Sequence, residues 1–124
     1  MRAPEPLAAL RVVAAPEALD ELVVANDYPT LRLASDDVLV IGAASVEVTG
    51  EHLVVDEAGF VGWWLTPDEV RELVVPHVDW PLPAARPALA QGLVAGVPAK
   101  LWLAEDRALL LCAAAYAHEL QERL

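Results

Sequence analysis

Cysteine and basic residues are both scarce in this chain of 124 residues. Cys112 is the only cysteine, so no intramolecular disulfide can form, and its apolar neighbours predict a buried, unreactive thiol. Lysine and arginine total 8 against 19 acidic residues, which gives a formal net charge of −11. Because nucleic acids and anionic membranes select surfaces rich in lysine and arginine, we expect neither as a partner.

A long uncharged run is also missing. Residues 87–99 form the longest one, and they contain two prolines and two glycines, whereas a membrane span needs about 18 apolar residues. Residues 1–6 hold an acid and two prolines where a signal peptide would have an apolar stretch. We therefore expect a cytoplasmic protein without a membrane partner.

The abundant residues are apolar, at 56% of the chain, which excludes a disordered protein. The length suits one core, so residues 1–124 are predicted to form a single α+β domain. Its sheet is expected to be antiparallel or mixed, with about six to seven strands and three to four helices.

Helix and strand signals divide the chain as follows. Thr66, Pro67 and Glu69 have the spacing of a capping box, which predicts a helix from 67 to 75. Apolar spacing and proline positions predict further helices at 16–25, 87–94 and 114–124. Residues 10–13 are read as a short strand or a helical turn, and strands are predicted at 31–33, 38–41, 46–48, 53–55, 60–65, 100–104 and 108–112. The run 38–41 is expected to be buried on both faces, and 46–48 is expected to form a hairpin with 53–55.

Residues 31–45 align with residues 101–115 at an offset of seventy, with seven identities. Two interpretations are open. The similarity could mark a pseudo-twofold internal repeat, or two hairpins with similar turns could have converged in a chain rich in Ala and Leu.

All of the net charge belongs to residues 1–79, which hold 15 acidic and 4 basic residues. Many of the acids occupy predicted turns and would cluster at the loop ends of the sheet. They could serve solubility alone, or they could form a docking face that steers a basic protein partner. The candidate docking face consists of Asp36, Asp37, Glu47, Glu51, Asp56 and Glu57.

Signals for catalysis and cofactors are weak. The three histidines are too scattered for a metal motif, and no phosphate-binding glycine loop or nucleophile elbow is present. His77 with Asp79 is the most ligand-like pair, but it lacks a third partner nearby in sequence. We expect no metal and no cofactor, and a non-enzymatic role is favoured.

Four tryptophans supply the remaining candidates: Trp63, Trp64, Trp80 and Trp102. They could be ordinary core residues, or they could form an apolar interface, since tryptophan is enriched at interaction hot spots. The preferred hypothesis is a protein-interaction module that self-associates, as a dimer, or docks a basic partner. The alternative is a small-ligand-binding protein or minor enzyme whose pocket is lined by Trp63, Trp64, Trp80 and His77.

Overall fold

The computed structural model describes all residues from Met1 to Leu124 and has an α+β architecture with two antiparallel sheets. The strands are β1 (Glu5–Pro6), β2 (Ala9–Ala14), β3 (Thr30–Ala34), β4 (Asp37–Ile41), β5 (His52–Glu57), β6 (Phe60–Leu65), β7 (Ala88–Val94), β8 (Val97–Leu103) and β9 (Ala108–Ala113). The helices are α1 (Pro16–Asp20), α2 (Pro67–Glu69) and α3 (Ala117–Arg123). A π-helical segment (Val70–Val74) and a 3-10 turn (Val75–His77) extend α2, and a 3-10 turn (Ala114–Tyr116) precedes α3.

The chain divides into two compact units, one of residues 7–58 and one of residues 1–6 with 59–124. We call them the four-stranded unit and the five-stranded unit. Strand order is β3-β4-β2-β5 in the first and β1-β6-β9-β8-β7 in the second. The prediction of a single domain over 1–124 stays a prediction.

In the four-stranded unit, alternation along β2 decides which side chains are buried. Leu10, Val12 and Ala14 point to one face and pack with Leu19 of α1, while Arg11 and Val13 are exposed. All four residues of the run 38–41 in β4 are buried, which confirms that both faces of this strand are covered.

In the five-stranded unit, the core lies between the sheet and the helical segments. Trp63, Leu101 and Leu110 from three neighbouring strands pack with Val74 and with Leu120 of α3. The capping box is present: Thr66 accepts from the Glu69 N–H, and Glu69 accepts from the Thr66 N–H. The pKa of Glu69 lies below its usual value because its carboxylate accepts the hydrogen bonds of the Thr66 N–H and of Arg2.

The prediction of one sheet with six to seven strands is wrong: nine strands form two sheets. The predicted hairpin of 46–48 with 53–55 is absent, because β5 pairs with β2 and Glu47 makes only an isolated bridge to Val23. β5 and β6 are close in sequence but belong to different sheets.

Two predicted helices also need correction. The first helix ends at Asp20 instead of residue 25. The β-branched Val23 beyond it is extended and forms a bridge with Glu47. The predicted helix at 87–94 is instead strand β7 from Ala88 to Val94, because Ala95 and Gly96 both have positive φ and close a two-residue hairpin with β8.

The similar segments 31–45 and 101–115 occupy equivalent places. Each contains a hairpin, β3–β4 in one unit and β8–β9 in the other. In each unit the second hairpin strand pairs antiparallel with a strand that leads into a helix with proline at its first turn, β2 before α1 and β6 before α2. A pseudo-twofold relation between the segments stays a prediction.

Candidate functional site

The edges of the two sheets are the first places to look for an interaction surface, because an edge strand presents unpaired backbone N–H and C=O groups. Four strands are edges: β1 and β7 in one sheet, β3 and β5 in the other. Three of them, β1, β3 and β7, carry features that hinder pairing with another chain. β1 is only two residues long and ends in Pro6, and β3 has a register irregularity between Arg32 and Ala34.

The edge of β7 is covered by Trp80. Its indole Nε1 donates a hydrogen bond to the Leu93 carbonyl at 3.2 Å, so a backbone acceptor on this edge is already used. Gly92 makes the approach possible, since a Cβ there would lie 2.7 Å from Trp80 Nε1. Trp80, a ligand candidate from the sequence, is therefore positioned by its contact with this strand.

The edge of β5 has no such protection. All of its residues except Glu57 are exposed, and its centre is apolar. The exposed fractions are 57% for Leu53, 37% for Val54 and 41% for Val55. An exposed strand edge six residues long with an apolar centre is a template for pairing with another chain.

Hydrogen bonds of β2 identify which side of that strand faces which neighbour. The Ala14 N–H donates to the Asp36 carbonyl (3.2 Å), and the Gly42 N–H donates to the Ala8 carbonyl (2.7 Å). Even-numbered residues at β2 thus turn their backbone groups toward β4. Because these groups alternate along a strand, the odd-numbered residues of β2 face β5.

The same alternation then fixes the outward groups of β5. Val13 lies opposite Leu53 and Arg11 opposite Val55, so the odd-numbered residues of β5 are bonded to β2. His52, Val54 and Asp56 therefore direct their N–H and C=O groups to the free edge.

Side chains of β5 divide between the two faces of the sheet. His52, Val54 and Asp56 lie on the face of α1, because they are opposite the inward-facing residues of β2. Leu53 and Val55 lie on the other face, where Leu53 is directly opposite Val13, a side chain that is 37% exposed. Both faces of this edge thus present apolar surface.

The structure places all six acids of the candidate docking face in the four-stranded unit, which holds 10 acidic and 2 basic residues. They do not meet at one point. Asp36, Asp37 and Glu51 lie at the end of the sheet where β2 finishes, and Asp56 and Glu57 lie at the end where β2 begins. Glu47 is bridged to Val23.

Asp37 has its own internal partner. Arg11 Nη2 lies 2.6 Å from its Oδ2 and Arg11 Nε lies 3.1 Å from its Oδ1. The pKa of Arg11 is raised above its usual value by this hydrogen-bonded ion pair. The pair fixes two side chains of the exposed face, and the remaining acids of the docking face are exposed except for Glu57, which is half-buried.

Among the tryptophans, only Trp64 and Trp102 are in ring contact with each other, with centroids 6.3 Å apart and ring planes at 88°. The Arg107 guanidinium lies 4.7 Å from the Trp64 ring centroid and 5.5 Å from that of Trp102, a cation–π arrangement. Trp63 is a core residue, 1% exposed, and its indole N–H donates to the Arg2 carbonyl at 2.7 Å. His77 and Asp79 are exposed.

A largely apolar depression of the five-stranded unit has a volume of about 340 Å³ and lies beside Phe60, Lys100 and Tyr116. Lys100 Nζ is 5.9 Å from the Phe60 ring centroid and 2.8 Å from Gln91 Oε1. Burial raises the pKa of the Cys112 thiol nearby.

No cluster of three or more His, Cys, Asp or Glu side chains is arranged to hold a metal ion.

Sequence reasoning missed the edge of β5. The run of Leu53, Val54 and Val55 is predicted to form a hairpin with 46–48, whereas it pairs with β2 and leaves its other edge free. The sequence signal for this edge is that polar residues flank the apolar run: His52 precedes it, and Asp56 and Glu57 follow it.

Comparisons with known proteins return no match to a family model, a curated protein or a solved structure. No helix of the chain is long and apolar enough to span a membrane.

Proposed function

We propose that this protein is a self-association module in which two copies join through the free edges of their β5 strands. The observation that carries the proposal is the exposure of Leu53, Val54 and Val55 on an unpaired strand edge. Monomeric proteins usually blunt such an edge, and the other three edges of this chain are short, irregular or covered.

Two contributions would stabilise the contact. The outward N–H and C=O groups of His52, Val54 and Asp56 would form backbone hydrogen bonds, and the apolar side chains on both faces would lose contact with water. The contact consists of one pair of strands and buries a small apolar area, so its affinity is expected to be modest. We therefore expect a reversible, concentration-dependent dimer.

A second copy is the occupant that this surface fits best. The order of side chains along β5 is polar, apolar, apolar, apolar, acidic, acidic, so an antiparallel copy centred on the apolar run places apolar side chains against apolar ones. A basic partner, the other possibility raised by the acidic composition, would need its own complementary strand, and the acids lie at opposite ends of the sheet rather than around β5 alone.

The test is the mass in solution of Val54→Lys and Val23→Lys, measured by light scattering over a dilution series. Val23 is 55% exposed, lies in the same unit and is outside β5, so the two variants change charge equally. We expect wild type and Val23→Lys to dimerise with similar affinity. Val54→Lys should weaken dimerisation at least roughly ten-fold, because it places an ammonium at the centre of the strand contact.

A wild-type chain that is monomeric throughout the series would contradict the proposal. Equal loss of dimer in both variants would also contradict it, because the loss would then not be specific to the edge of β5.

A further inference from the structure

The geometry points to a specific register for this contact: two β5 strands run antiparallel about a twofold axis at Val54, so that each His52 lies opposite Asp56 of the second copy. This inference rests on the proposed self-association through β5. It adds which residues meet and how the two four-stranded sheets join into one of eight strands.

Backbone geometry restricts the possible registers. In an antiparallel pair, residues directly opposite each other must both face the shared edge or both face away from it. His52, Val54 and Asp56 face the edge, so Val54 can lie opposite Val54, His52 or Asp56 of the second copy, and not opposite Leu53 or Val55.

Of these three, the Val54–Val54 register satisfies the most backbone groups. It pairs His52 with Asp56 on either side of the axis, so all three outward-facing residues of each copy exchange N–H and C=O bonds. A shift by two residues in either direction leaves one outward-facing residue of β5 in each copy opposite a residue beyond the strand.

Side-chain chemistry selects the same register. With Val54 opposite Val54, the His52 ring lies beside the Asp56 carboxylate of the second copy, and His52 is oriented by its Nδ1, which lies 2.7 Å from the Gly50 carbonyl oxygen. The shift that places Val54 opposite Asp56 would put an apolar side chain against a carboxylate. The opposite shift would place His52 against Val54 and leave the Asp56 carboxylate without the imidazole beside it.

On the other face, Leu53 lies opposite Val55 of the second copy. Such pairs without backbone hydrogen bonds have the closer side chains in an antiparallel ladder. Each Leu53 is also adjacent to Val13 of its own copy, so the twofold axis would gather six apolar side chains on this face, three from each copy.

Engineered cysteines can identify the register. Three variants, Leu53→Cys, Val54→Cys and Val55→Cys, are each oxidised with diamide at a concentration where the wild type is dimeric, and covalent dimer is read on a non-reducing gel. Opposed Cα atoms in a hydrogen-bonded pair are about 5.5 Å apart, within the range for a disulfide. The wild type is the control, because its Cys112 is buried.

We expect Val54→Cys to form covalent dimer at least roughly ten-fold faster than either other variant, since only residue 54 meets itself. A mixture of Leu53→Cys and Val55→Cys should cross-link to each other. Fast cross-linking of Leu53→Cys alone or Val55→Cys alone would overturn this register in favour of a shifted one. No cross-linking in any variant, with dimer still present by light scattering, would overturn the inference while leaving self-association intact.

Discussion

Individual side chains of β5 differ in what they would contribute to the contact. Val54 lies at the proposed axis, and its apolar neighbours Leu53 and Val55 meet across it. The two ends of the strand contact are less favourable, because in this register Glu51 lies opposite Glu57 of the second copy. Like charges directly opposite each other on neighbouring strands weaken their pairing.

Glu51→Lys is therefore expected to strengthen dimerisation. It replaces two Glu–Glu oppositions per dimer with two Lys–Glu pairs, which should lower the dissociation constant by roughly three- to thirty-fold. The measurement is sedimentation equilibrium or a light-scattering dilution series.

Glu47→Lys is the matched control, because it changes the net charge equally in the same unit, but Glu47 is bridged to Val23 and has no place opposite Glu57 in the proposed register. The same gain in both variants would indicate that only net charge matters and would contradict the proposed end contacts.

At the level of elements, the edge strands β5 and β7 differ in whether a side chain covers the edge. The Leu93 carbonyl of β7 is bonded by Trp80, whereas the outward groups of β5 have no neighbouring strand. Trp80, which the sequence offers as a ligand or interface candidate, thus contacts an edge strand of its own unit. This difference explains why the interaction surface is proposed at a strand without any aromatic residue.

Local signals predicted many of the elements. The capping box at Thr66 and Glu69 places the start of α2 correctly, and the continuous run 38–41 is buried on both faces as expected. Both signals depend on residues close together in the chain, so they can be read without knowing the rest of the fold.

Signals that depend on distant pairing were misread. Whether β5 forms a hairpin with 46–48 or pairs with β2 depends on which strand offers the better buried partner, and spacing along the chain does not specify it. Residues 87–94 carry the apolar spacing of a short helix, but pairing with β8 makes them a strand. The candidate site depends on that distant pairing, since an edge exists only once the neighbours of a strand are known.

At the level of the whole molecule, net charge opposes the association that the edge favours. Two copies that each carry −11 repel one another, and the four-stranded unit with its 10 acidic and 2 basic residues carries most of that charge. The proposed contact is apolar at its centre, so it does not depend on attraction between opposite charges.

Salt should therefore strengthen the dimer. Raising NaCl from about 0.05 M to about 0.5 M shortens the screening length and reduces the repulsion, so the dissociation constant should fall several-fold. The check is a dilution series at each salt concentration. A dissociation constant that rises with salt would indicate a contact held by opposite charges, which is the behaviour of an acidic face docked on a basic one.

The most direct test of self-association through β5 is amide hydrogen exchange followed residue by residue at two protein concentrations. Within one copy, the N–H groups of Leu53 and Val55 are directed to β2, so their protection should hardly change with concentration. The N–H groups of His52, Val54 and Asp56 face the free edge and should be protected at high concentration and exchange rapidly on dilution. Rapid exchange of these three amides at every concentration, in a sample that light scattering shows to be dimeric, would contradict the account.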